Sequence, residues 1–221
     1  MSLTLIIGNK NLSSWSFRPW ILMTQFDIPF EEVMIRLDEP ESRASIKTHS
    51  PSGLVPCLKD GDTAIWDSLA IAEYLSELYP DRHLWPQDKA ARALARSMTC
   101  EMHSGFSALR GGWPMDIATK DAGVTVPWGV RRDLGRIFTL WTTARETHGS
   151  AGPFLFGAFS VADAFFAPVV SRIRSFGPVP TTPVVRDYLD AMEALPAFQK
   201  WADGALKEVA DGWYTGEPIY S

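Results

Sequence analysis

Leu3 to Ile7 is a short apolar run that stops at Gly8, the pattern of a buried strand. Beyond it the spacing predicts a helix that starts among Ser13 to Ser16, runs to about Phe26 and buries Phe17, Ile21 and Leu22. Pro19 falls in or just after the first turn, where a missing backbone donor is tolerated. An earlier start would let that proline kink the helix. Phe30 to Leu37 alternates loosely and suggests a second strand, and Pro40 to Thr48 a weak polar helix or loop. Pro56 to Leu58 and Thr63 to Trp66, joined by Asp60-Gly61-Asp62, give a hairpin signal. Ile71, Leu75 and Leu78 share one face of a helix from Ser68 to Leu78, which ends before Tyr79-Pro80 because proline disfavours helix at the residue before it.

After Pro80 the strand signal disappears. Asp81 to Gln87, with Pro86 and Trp85, is a linker, and the rest of the chain is helical in pattern. Asp88 to Leu109 is Ala-rich early and then carries Met98, Met102 and Phe106, and Gly111-Gly112-Trp113-Pro114 is expected to break it. Further helices are expected over Pro127 to Thr147, from Ser160 onward, over Pro183 to Leu195 and over Pro196 to Ala210. Ser160-Val161-Ala162-Asp163 spaces a cap hydroxyl and a carboxylate so that each satisfies a free donor of the other. The chain therefore divides into a βαβαββα unit over 1–80, a linker over 81–87 and an all-helical unit over 88–221.

Composition narrows the function classes. With 221 residues, 46% hydrophobic and 21% charged, the chain has the makeup of an ordinary soluble globular protein with real cores. A net charge of −5 argues against a nucleic-acid partner held through phosphates. No apolar run approaches a membrane span, and Met1 to Gly8 lacks the basic region of a signal peptide. Cys57 and Cys100, without metal-type spacing, fit a reducing compartment and the role of small buried hydrophobes. No metal cluster, Ser-His-Asp set or phosphate-cradling glycine loop stands out.

The stretch that organises the chain is Ser52-Gly53-Leu54-Val55-Pro56-Cys57-Leu58, followed by Ile65-Trp66-Asp67-Ser68-Leu69. Pro56 must open its strand or lie at an edge, and the Val55-Pro56 bond is a candidate for cis. The Val55 backbone would then face an extended peptide-like ligand as an added strand does. Asp67 or Ser68 caps the next helix, whose free N–H groups and dipole favour an anion. Separately these are a common loop and an ordinary cap. Their order, together with Asn11-Leu12-Ser13-Ser14-Trp15-Ser16-Phe17-Arg18 at the first helix entrance, resembles the glutathione transferase superfamily, with its thioredoxin-like domain followed by a helical domain.

The resemblance implies a site. Ser13-Ser14-Trp15-Ser16-Phe17-Arg18 is similar to the zeta-class motif, with Trp15 in place of a cysteine. That alignment makes Ser13 the activating serine, whereas spacing counted back from Arg18 makes it Ser14; a plain helix cap is the alternative for either. A hydroxyl and a helix N-terminus both favour thiolate over thiol. Val55 and Pro56 would hold the cysteinyl unit of glutathione, and Asp67 and Ser68 its γ-glutamyl end. Leu54 stands where the family often has a basic or amide residue, so Lys47 or His49 would have to meet the glycyl carboxylate. The electrophile pocket is expected near Met102, His103, Phe106, Arg110 and Trp113, with His103 as a packing or capping residue without a partner. Arg18 is expected in a structural ion pair.

The resemblance thus implies a cytoplasmic, homodimeric serine-type transferase that conjugates glutathione, its co-substrate, to a small electrophile in detoxification. Two alternatives stand beside it. One is a glutathione-dependent cis–trans isomerase of a maleyl-type acid, which needs Arg110, Arg172 or Arg174 in the cleft. The other is a non-catalytic binding module on the same fold.

Overall fold

A computed structural model describes residues 3–37, 39–120 and 122–213. Four strands, β1 (Leu3–Ile7), β2 (Phe30–Met34), β3 (Cys57–Asp60) and β4 (Thr63–Trp66), form one sheet in the order β2-β1-β3-β4. β1 pairs parallel with β2 and antiparallel with β3, and the hairpin adds β4 at the edge. α1 (Ser14–Gln25) and α3 (Ser68–Leu78) pack together over one face, where Leu3, Leu5, Ile7 and Leu58 join the main core. α2 (Ser42–His49) closes the other face over Ile6, Ile35 and Cys57. The βαβαββα order is the one that the sequence pattern predicts.

Every later element described is helical: a 3-10 turn at Pro80–Arg82, then α4 (Lys89–Ser104), α5 (Ser107–Gly112), α6 (Trp128–His148), α7 (Val161–Phe176), α8 (Pro183–Glu193) and α9 (Pro196–Ala210). α7 is buried along nearly its whole length against α1, α4 and α8, so it is the axis of the helical region. Its start is the expected capping box, with Asp163 accepting from Ser160 N and Ser160 Oγ, both at 2.9 Å. Asp163 also accepts from Leu155 N at 3.0 Å, and burial pushes its carboxyl up to about 6.

Several expectations need correction. β2 ends at Met34 rather than Leu37, because β1 runs out at Ile7 and the Asn9 side chain takes the Leu37 N–H at 2.7 Å. The long helix breaks at Gly105-Phe106, not at Gly111-Gly112, which lie inside α5. A Cβ on Gly105 would come within 2.7 Å of the Glu101 carbonyl oxygen, and Phe106 turns the chain with φ 54°. Pro19 lies within α1, where it leaves the Trp15 carbonyl without its helical donor. Cys57 is buried as expected, whereas Cys100 is exposed on α4. The Val55-Pro56 bond is cis, and so is Gly177-Pro178.

Candidate active site

The loop before α1 is shaped from a distance. Glu208 of α9 accepts from Lys10 N at 2.7 Å and Asn11 N at 3.0 Å, one bond to each carboxylate oxygen. Burial raises the pKa of that carboxyl, and these two N–H donors pull it back. The Asn11 side chain donates to Asp116 Oδ1 at 3.1 Å and accepts from Ala118 N at 2.8 Å. Asn11, which opens the serine motif, and Glu208, which no local sequence pattern marks, clasp the serine loop to the helical region.

The two serines at the helix entrance are not equivalent. Ser13 is the N-cap: it donates to Ser16 Oγ at 2.8 Å and accepts weakly from Ser16 N at 3.4 Å. Ser16 Oγ in turn accepts from Gly8 N at 3.1 Å, which ties the cap to the end of β1. Ser14 is the first helical residue and is buried, and its hydroxyl has no hydrogen-bond partner among the described residues. An acceptor brought to this helix end meets a free hydroxyl and the helix N–H groups together.

Across the sheet end, Asp67 caps α3, its Oδ1 accepting from Leu69 N at 2.8 Å and Ala70 N at 3.3 Å. Its φ of 73° is unfavourable for a residue with a Cβ, and the cap bonds offset that strain. Ser68 is 1% exposed, and its Oγ is buried without a partner. Such an orphaned hydroxyl is costly unless a ligand satisfies it. Val55 is half-buried beside Leu54, which is 69% exposed. Lys47 and His49 lie in the last turn of α2, the first exposed and the second half-buried.

The helical region closes over this corner. His103 of α4 has a partner after all: its Nε2 lies 3.2 Å from Asp67 Oδ2. Its ring meets Trp15 edge-on at 5.3 Å and tilts against Phe165 at 6.1 Å. Burial lowers the His103 pKa, and Arg18 and Arg110 lower it further against the pull of Asp67. Arg110 of α5 lies over the Trp15 ring at 5.5 Å, on a short helix pinned by a bond from Leu109 N to Asp133 Oδ2 at 3.0 Å. Phe106 is buried at the start of α5. Trp113 is core: it is 1% exposed and stacks on Phe176 at 5.6 Å. Its carbonyl accepts from Arg172 Nε at 2.8 Å and so positions that guanidinium.

Arg18 departs most from expectation. It is 0% exposed, makes no ion pair among the described residues, and its three guanidinium nitrogens have no hydrogen-bond partner. The Trp15 and Phe165 rings hold it instead, at 4.1 and 4.9 Å. Burial, with repulsion from Arg172 and Arg110, pulls its pKa down to about 9. Burial with repulsion from Arg110 does the same to Arg172, also to about 9. Arg174 does not join them; it lines a shallow depression with Lys120, Glu193 and Phe198. Serines, an acid, a histidine and three arginines thus converge where α1, α3, α4, α5 and α7 meet. Among the described residues no group of acidic, histidine or cysteine side chains could hold a metal ion.

A mixed four-stranded sheet with a serine-led helix, followed by a helical region that closes over it, defines a protein of the glutathione transferase type. Residues 12–78 match the glutathione S-transferase N-terminal domain. The chain is 30% identical over 190 residues to maleylacetoacetate isomerase of Rattus norvegicus, covering 82% of this chain and 86% of that one. It is 29% identical over 193 residues to a zeta-class glutathione S-transferase of Euphorbia esula, covering 85% and 84%. A solved glutathione transferase homologue from Burkholderia, with glutathione bound, superposes with a TM-score of 0.68 at 23% identity, over 94% of this chain and 99% of that one. The chain belongs to the zeta-like branch of the glutathione transferase superfamily, whose co-substrate is glutathione.

Proposed function

We propose that this protein is a serine-type glutathione-dependent isomerase of a small maleyl-type acid, with conjugation of glutathione to electrophiles as a second activity of the same thiolate. Glutathione lies along Val55-Pro56, its γ-glutamyl carboxylate on Ser68 and its α-ammonium at Asp67. That placement sends the sulfur to the entrance of α1. Ser13 donates its proton to Ser16, so the free Ser14 hydroxyl is the better donor to sulfur. The observation that carries the isomerase reading is the cluster of Arg18, Arg110 and Arg172, in which the two arginines repel Arg18 and Asp67 is the acid that offsets it. A doubly charged acid matches that cluster, and the half-buried Arg110 is the arginine within its reach.

In the reaction the thiolate adds to the activated double bond, forming C–S and moving the electron pair toward the acid's carbonyl. Rotation about the resulting single bond follows; C–S then breaks, the double bond re-forms in the trans geometry and the thiolate leaves unchanged. The relative named maleylacetoacetate isomerase supports this order of preference. Conjugation is the same first step with a departing halide or a final protonation.

The reading includes a cytoplasmic homodimer. Trp66 on β4 and Leu78 on α3, 47% and 42% exposed, give apolar surface for a second copy to cover. No helix described is long and apolar enough to cross a membrane. The functional test is a maleyl-type acid supplied with glutathione, followed by the ultraviolet change of the trans product. Turnover without consumption of glutathione is expected. Turnover of chlorinated aromatics alone would move the protein to conjugation, and no binding of glutathione in a titration would leave a non-catalytic module.

A further inference from the structure

We propose that Arg18 is a positioning residue for the thiolate: its sealed, unpartnered guanidinium supplies the positive field that makes the thiol of bound glutathione acidic. The proposal rests on the reading that the sulfur sits at the entrance of α1. Ser14 and Arg18 are four residues apart on that helix, hence on one face and about 6 Å apart along its axis. The guanidinium lies between the Trp15 and Phe165 rings at 4.1 and 4.9 Å, with none of its nitrogens bonded. At 0% exposure it cannot reach out to hold a substrate carboxylate, so its charge acts through space rather than by contact.

The groups around it offset that charge only in part. Arg172 and Arg110 repel it, and His103 is held neutral by burial. Asp67 is the acid that offsets it, and that carboxylate is already shared between the α3 N–H groups and His103. A buried cation without a directly paired counter-charge is expensive, and a charge in a desolvated setting is felt strongly by its neighbours. The missing anion is supplied when glutathione binds and ionises: the S–H bond breaks, the proton leaves to water and the electron pair stays on sulfur. The field therefore stabilises the thiolate without a bond to it, beside the hydroxyl donor.

The test is the thiol pKa of bound glutathione, read from ultraviolet thiolate absorbance against pH with the protein saturated. Arg18→Met should raise it by about one pH unit or more, while Arg18→Lys should stay within a few tenths of wild type. Ser13→Ala and Ser14→Ala are titrated alongside, so that failure of the serine reading shows separately. In the wild type, the Arg18 Nε resonance should move when glutathione binds but not when S-methylglutathione binds, which covers a Met variant that does not fold. An unchanged thiol pKa in a folded, glutathione-binding Arg18→Met overturns the proposal. So do equal shifts in the Met and Lys variants, which would point to packing. A raised KM for an acidic second substrate with the thiol pKa unchanged also overturns it, giving the guanidinium to that substrate. Equal movement of the resonance with both ligands overturns it as well.

Discussion

His103 Nε2 lies 3.2 Å from Asp67 Oδ2, so one side chain of the helical region rests on the carboxylate that caps α3. Burial lowers the His103 pKa against the pull of Asp67, so the neutral imidazole is favoured beside that carboxylate over a full ion pair. Its folded pKa lies below the unfolded one, so its contribution to stability is present above the unfolded value, near 6.5, and is lost as pH falls through the folded value. His103→Gln, which keeps a donor, should flatten the acid limb of the stability curve below about pH 6.5. Chemical denaturation of both proteins across that range checks it. Parallel curves would remove His103 from the linkage.

Ser68→Ala separates ligand binding from folding. The hydroxyl is buried and unpartnered, so its removal should leave thermal stability unchanged or slightly raised. Loss of a charge-assisted bond should weaken glutathione by roughly 1.5–3 kcal/mol, about ten- to a hundredfold in Kd. Calorimetric titration and a melting curve of the same sample decide it. A stable variant with unchanged affinity would take Ser68 out of the binding site.

Ser13→Ala and Ser14→Ala should fail in different ways. Ser13 holds the cap and the link to Ser16, so its loss should cost about 1 kcal/mol of stability. Ser14 spends its hydroxyl on no protein group, so its loss should spare stability and raise the thiol pKa of bound glutathione. Melting curves and thiolate titrations on the pair would expose the opposite assignment.

Asp163 predicts a second pH dependence of opposite sign. Burial raises its folded carboxyl to about 6, above the ordinary 3.8, so its contribution is fully present below the unfolded value and declines as pH rises through 6. The stability difference between wild type and Asp163→Ala should therefore shrink between about pH 4 and 6.5 and then level off. Denaturant melts at matched pH values measure that difference. A gap that widens with pH would show that the hydrogen bonds from Leu155 and Ser160 outweigh burial.

The sequence carried the elements whose causes are local. The hairpin around Gly61, the stop before Pro80 and the Ser160-Asp163 box each depend on neighbours within a few residues, and each forms as expected. The break at Gly105 was also local, but two glycines farther on gave a louder signal that α5 absorbs. The site was legible as residue types and not as partners. An arginine inside a fold usually has an ion pair, and no pattern shows that two rings take its place around Arg18. His103 met its carboxylate from another part of the chain, 36 positions away by residue number. Cys100 is exposed rather than buried; helix periodicity alone does not tell which face of α4 meets α7.

The clasp of Glu208 and Asn11 has a consequence for any attempt to divide this chain. The strands and α1 share their core with α7 and α9, and the two backbone N–H groups ahead of the serines are answered by a carboxylate 197 and 198 residues later. A truncated α/β half would thus carry every residue proposed to touch glutathione and still lack the template that bends their loop. The last long helix serves as a mould for the first turn of chemistry, and the protein's reactive end is finished only when its distant end has docked.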